Sequence, residues 1–160
     1  MPMWRSFTRA ALRVGRDRRG VAAIEFAIVM PAFLIVSVLM IDIGRALYQT
    51  NAVAKALQAG ALFAARSAYP LTTTAQTQAR NLVKTGNTGG TLPYLVSGWG
   101  KAGAELTITT HSTAVGTDIV RVYTFAATVP FDPILPGLVS DLVLGGSSIM
   151  VTHEQAYLGL

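Results

Sequence analysis

"RRGVAAIEFAIVMPAFLIV", Arg18 to Val36, is the stretch from which the rest of the chain can be read. A basic segment stops at Gly20, an apolar run begins at Val21, and a single glutamate, Glu25, stands inside that run. No residue from Phe26 to Ile41 is charged. A bilayer-crossing helix needs roughly 20 largely apolar residues, so Val21 to Gly44 is long enough with modest tilt. An ionisable side chain within such a helix is costly and is expected to have a use.

Upstream, the first twenty residues carry six arginines and one aspartate, which is the whole of the net charge of +5. The remaining 140 residues are electrically balanced. A basic tail beside an apolar span acts as a topogenic signal that keeps the N-terminus cytoplasmic. Nucleic-acid binding is not expected, since no folded basic face or aromatic-basic motif is present. After Met40 the chain reads "IDIGRALYQ", without the small-residue pattern of signal-peptidase cleavage. Arg18-Arg19 is followed by Gly-Val-Ala rather than a bulky apolar pair. The span is therefore expected to be retained.

Downstream, Arg45 lies just beyond the span, placed to reach the headgroups, with Asp42 three residues back as its partner. "RALYQTNAVAKALQAGALFAARSA" is rich in helix-forming Ala and Leu. Val53, Leu57, Ala61, Ala64 and Ala68 recur at helical spacing, whereas Asn51, Lys55, Gln58 and Arg66 fall on other angles. Residues 21–69 are thus expected to form one helix of roughly 70 Å, kinked at Pro31 and stopped by Pro70 and Thr72 to Thr74. "ELTITTH", "DIVRVYTFAATV" and "SSIMVTHEQAYLGL" read as strands. A Pro- and Gly-punctuated crossover, "PFDPILPGLVSDLVLGG", separates the last two. The expected fold is α+β, with the long helix packed on a small antiparallel sheet. Its parts are a leader (1–20), the helix (21–69, with a transmembrane segment at about 21–44) and a β-rich extracytoplasmic domain (70–160).

Catalytic and cofactor signals are weak. "GWGK" at 98–101 lacks both the preceding glycine and the following Ser/Thr of a phosphate loop, so it reads as a turn. "NTGG" and "LGGSS" lack a strand–turn–helix setting. His111 and His153 stand alone, without a second histidine at a ligand spacing. Glu105, Asp118, Asp132, Asp141 and Glu154 are too scattered to nominate an acid/base pair. Cysteine is absent. No cofactor or metal is expected, and the chain reads as a structural protein rather than an enzyme.

Numbered from the residue after Gly20, Val21 is first, Glu25 fifth and Phe26 sixth. A basic leader ending in Gly, then four apolar residues, Glu and an aromatic, resembles the type IV prepilin processing site. The continuation, with Pro31 in the first half of the span and Asp42-x-Gly44-Arg45 at its exit, resembles the TadE-like pseudopilins. These are minor pilins of the tight-adherence (Flp) pilus. The resemblance covers residues 18–68 and, more weakly, 119–158. It implies a cut between Gly20 and Val21 by a prepilin peptidase, and pairing of Glu25 with the new α-amine of a neighbouring subunit. The implied partners are that peptidase, other pilin or pseudopilin subunits, an inner-membrane assembly platform and membrane lipid. The implied location is the bacterial inner membrane, N-terminus inside, or a surface pilus serving adhesion and biofilm formation. Major Flp pilins are short and usually carry Tyr after the Glu, so Phe26 and the outer domain indicate a minor subunit. The alternative is an uncleaved single-pass anchor holding a binding module outside the membrane, with Glu25 capping the helix and Gly20 a linker glycine.

Overall fold

The computed structural model describes residues 18–134 and 148–159. Most of the basic leader, and residues 135–147 of the expected crossover with Asp141, lie outside the described residues. The elements are α1 (Arg18–Ala65), α2 (Thr73–Thr85), a short 3-10 turn (Ser97–Gly100), β1 (Glu105–Val115), β2 (Asp118–Pro130) and β3 (Ser148–Ala156). Internal contacts divide the chain into two units, Met1–Met40 and Ile41–Leu160.

In the first unit, α1 is apolar on every side. Val21, Ile24, Phe26, Ile28, Val29, Phe33, Leu34 and Met40 are all exposed, and the helix is long and apolar enough to cross a membrane. A helix that is hydrophobic all round requires an apolar solvent. The helix runs through Pro31, whose missing N–H leaves the Ala27 carbonyl without its helical donor. The one hydroxyl in this stretch is satisfied within the helix, because Ser37 Oγ donates to the Phe33 carbonyl at 2.9 Å, as an apolar surrounding demands.

The second unit is built on β2. Its alternating pattern places Tyr123, Phe125, Ala127 and Val129 on one buried face. β1 and β3 flank it antiparallel in the order β1-β2-β3, so the 131–147 connection joins two adjacent strands. By register, Leu106 and Ile108 of β1 and Ile149 and Val151 of β3 share the buried face. Against it packs the stripe of α1 that the periodicity predicts, with Val53, Leu57, Ala61 and Ala64 almost fully buried. Ala68, expected on the same stripe, is exposed because α1 ends at Ala65 rather than residue 69.

Between α1 and β1 lies α2, which the sequence reading did not foresee. Thr72 caps it by accepting the Ala75 N–H at 3.2 Å, and Gly86 closes it in the left-handed region at φ 78°. Thr72 therefore starts a new helix as well as following the old one. Ala79 and Val83 of α2 are fully buried, and the helix passes close over Gly60. A Cβ on Gly60 would lie 2.4 Å from Val83 Cγ2 and 3.4 Å from Phe125 Cε1.

Two contacts fix the sheet lengthwise along α1. Gln49 Nε2 donates to the Pro130 carbonyl at 3.1 Å. At the other end, Leu158 N–H donates to the Ala65 carbonyl at 3.1 Å and Tyr157 N–H to the Arg121 carbonyl at 2.8 Å. The strands accordingly run alongside α1, with the Pro130 end beside Gln49 and the Arg121 end beside Ala65.

Candidate functional site

The sequence nominates two local sites, the border at Gly20 and the exit at Asp42, and each lies within one unit. At the border, α1 begins at Arg18, so Gly20 and Val21 sit inside the first helical turn rather than ahead of it. A side chain at Gly20 would meet open space, which means the fold of this chain does not itself require glycine there. Glu25 and Phe26 are exposed among exposed apolar side chains.

At the exit, Asp42 is completely buried. Its Oδ1 takes a 2.8 Å bond from Arg45 Nη1, the pair expected from the i, i+3 spacing. Its Oδ2 accepts the backbone N–H of Ile134 at 2.7 Å, a contact the sequence did not disclose. A buried carboxylate is tolerated when it is both paired and hydrogen-bonded. Asp42 thereby ties the segment leaving β2 to the start of the second unit's helix. The Arg45 guanidinium also lies over the Phe131 ring at 5.5 Å, so this arginine is engaged by the fold on two sides. Gly44 faces open space. It opens, with Ile41, Arg45, Tyr48, Leu95 and Phe131, onto a surface groove of about 450 Å³.

Elsewhere the chemistry is sparse. "GWGK" is the 3-10 turn, with Trp99 buried; a Cβ on Gly98 would lie 2.3 Å from the Pro130 carbonyl oxygen. Its glycine serves packing. His153 lies on the inner sheet face, level with Phe125, and His111 on the outer face. Thr124 Oγ1 lies 3.3 Å from His111 Nδ1 and donates to Glu154 Oε1 at 3.2 Å. Among the described residues no three His, Asp or Glu side chains converge as a metal site. One buried polar atom, the Tyr123 hydroxyl, has no hydrogen-bond partner there. Burial, followed by the neighbouring Tyr157 and Tyr69 hydroxyls, pushes its pKa above the usual tyrosine value, against a smaller opposing effect of Arg121.

The model of the TadE-like protein family matches residues 20–62. Over these residues the chain is similar to that family. The match begins at Gly20, takes in Glu25, Pro31 and the Asp42–Arg45 exit, and ends three residues before α1 does. The match suggests involvement in the tight-adherence pilus system. Among the described residues one helix is long and apolar enough to be a candidate membrane anchor. No curated protein and no solved structure matches the chain.

Proposed function

We propose that this TadE-like chain is a minor pilin or pseudopilin supporting assembly of a tight-adherence pilus, and that a prepilin peptidase cuts it between Gly20 and Val21. The observation that carries the reading is the start of the family match at Gly20, where the basic segment meets a helix exposed and apolar on all sides. Glycine lets an opened backbone approach an enzyme closely.

The cut also changes the setting of Glu25. In the uncut chain it lies about two turns from the start of α1, beyond the reach of the helix dipole, which falls off within the first turn. Removal of residues 1–20 brings Glu25 to about one turn from a new α-amine, of pKa about 8, on Val21. A neighbouring subunit's amine would then neutralise Glu25 and set the axial register between helices. On this reading the partners are the peptidase, other pilin or pseudopilin subunits, the inner-membrane platform and lipid. Residues 1–20 are cytoplasmic and residues 70–160 extracytoplasmic.

N-terminal sequencing of the protein extracted from membranes tests the cut, with Val21 expected as the first residue. Gly20→Trp is expected to leave the precursor uncut, and Glu25→Ala to be cut but fail to support piliation. Normal piliation by both variants would overturn the proposal.

A further inference from the structure

Among the described residues no further strand pairs with either edge of the three-stranded sheet, and the chemistry of the two edges is complementary. Gly116, at φ 64°, and Thr117 form a two-residue loop between the directly paired Val115 and Asp118. In such a hairpin the flanking residues form a hydrogen-bonded pair. Counting back from Val115 by twos, Thr113, His111, Thr109 and Thr107 bond inward to β2. Ile108, Thr110, Ser112 and Ala114 turn their N–H and C=O groups outward.

The Leu106 carbonyl agrees with this count, since it receives Arg80 of α2 on the outward side. Arg80 thus closes the edge at one end and the hairpin loop bounds it at the other. On β3, the Tyr157–Arg121 bond sets the same alternation, so Ser148, Met150, Thr152 and Glu154 face outward. Between Leu106 and Val115, β1 carries no Lys, Arg, Asp, Glu or Pro and no break in register. Natural sheets normally guard an open edge with such features.

We propose that these edges join copies of this chain to one another, β1 of one copy adding in parallel beside β3 of the next. A parallel joint keeps α1 pointing the same way in both copies, because the strands run alongside α1. An antiparallel β1–β1 joint would instead reverse the Gln49–Ala65 part of α1 in one copy relative to the other.

One register satisfies every position. With His111 beside the next copy's Glu154, Thr109 falls beside Thr152, and Ile108 beside Val151 on the inner face. Outward β1 residues are then level with inward β3 residues, as a parallel ladder requires, giving about six hydrogen bonds. A shift of two residues either way removes the His–Glu pair, setting His111 beside Thr152 or Ala156 instead. The contact is heterologous, so it propagates along a row of copies instead of closing as a two-fold dimer.

The natural chain has no cysteine, so disulfide trapping reads this directly. His111 and Glu154 of one chain are separated by β2, about 9.6 Å or more apart, too far for an internal bridge. Oxidising native membranes that carry the double variant His111→Cys/Glu154→Cys is expected to give a ladder of dimers, trimers and higher species on a non-reducing gel. Thr109→Cys/Thr152→Cys should give the same ladder, and the out-of-register Thr113→Cys/Thr152→Cys none. Thr110→Pro, which removes an outward N–H but no bond to β2, should abolish the ladder of the first pair. Dimers from His111→Cys alone would overturn the proposal in favour of an antiparallel joint. Absence of a ladder from both in-register pairs would overturn it outright. The joint needs the anchor but not the cut, so the ladder should persist in the Gly20→Trp background, and its loss is separable from failure of the processing reading.

Discussion

Asp42 belongs to a four-residue motif that sequence alone ties to the membrane border, yet its oxygens are used by the outer unit, one by Arg45 and one by Ile134 N–H. Arg45 is about half exposed, and ion pairs in that setting contribute little, so the bond from the Ile134 N–H to the buried carboxylate should dominate. Asp42→Ala leaves that donor unsatisfied and is expected to lower stability by about 2–3 kcal/mol. Asp42→Asn keeps an acceptor oxygen and should lose less than half as much. Thermal unfolding of the detergent-solubilised chain compares them, and equal losses would assign the effect to the ion pair. Tyr123 gives a pH-dependent case. Its folded pKa is raised, so the unfolded chain releases this proton first as pH climbs past about 10. The contribution is intact below pH 10 and is lost as pH rises towards the folded pKa. Tyr123→Phe should therefore flatten the alkaline decline in melting temperature. At neutral pH it should be neutral or stabilising by up to about 1 kcal/mol, because it removes a buried hydroxyl with no partner among the described residues.

Among the elements, α2 depends on a glycine in a different helix. Ala is normally the better helix former by about 1 kcal/mol, so Gly60→Ala would stabilise α1 if the helix stood alone. In the fold, the new Cβ meets Val83 at 2.4 Å and the Ala79 carbonyl oxygen at 3.3 Å. Overpacking of this kind costs about 1–3 kcal/mol, so a net loss is expected. The loss should shrink in a Val83→Ala background, since the two sites share one contact. Such couplings also mark what could be read from the sequence. The stripe from Val53 to Ala64 and the alternation of β2 were legible because each reports burial through its own period. The signals for α2 were local and present: Thr72 as cap, Ala79 and Val83 one turn apart, Lys84 in the last turn, Gly86 beyond it. They were obscured because Pro70 and the threonines also read as the stop signal of α1, which in fact ends at Ala65. The border and exit motifs are runs of consecutive residues, so sequence alone can nominate them. The Asp42–Ile134 bond spans 92 positions, and the close approaches at Gly60 and Gly98 depend on what crosses them, so no run of sequence could disclose either.

For the whole molecule, the decisive asymmetry is that charge and apolar surface are placed at successive points along the chain. All net positive charge precedes Val21, exposed apolar side chains fill α1 up to Met40, and the buried core belongs to residues 41 onward. The exposed apolar helix lies outside that core, and burying its surface in lipid would remove the apolar area from water, which makes it a candidate membrane anchor. Lys and Arg near a span hold their end in the cytoplasm, which predicts that residues 41–160 emerge on the opposite side. Protease added to the outside of spheroplasts should digest that unit and leave a fragment protected up to about Gly44, recognised by an epitope at the N-terminus of the uncut Gly20→Trp form. Leu34→Arg introduces a charge near the middle of the apolar helix, worth about 2.5–3.5 kcal/mol against insertion, and should move a measurable fraction of the chain into the carbonate-extractable pool. Digestion of the N-terminal epitope from outside, with residues 41–160 protected, would reverse the orientation. Full extraction of the unmodified chain by carbonate would remove the anchor altogether.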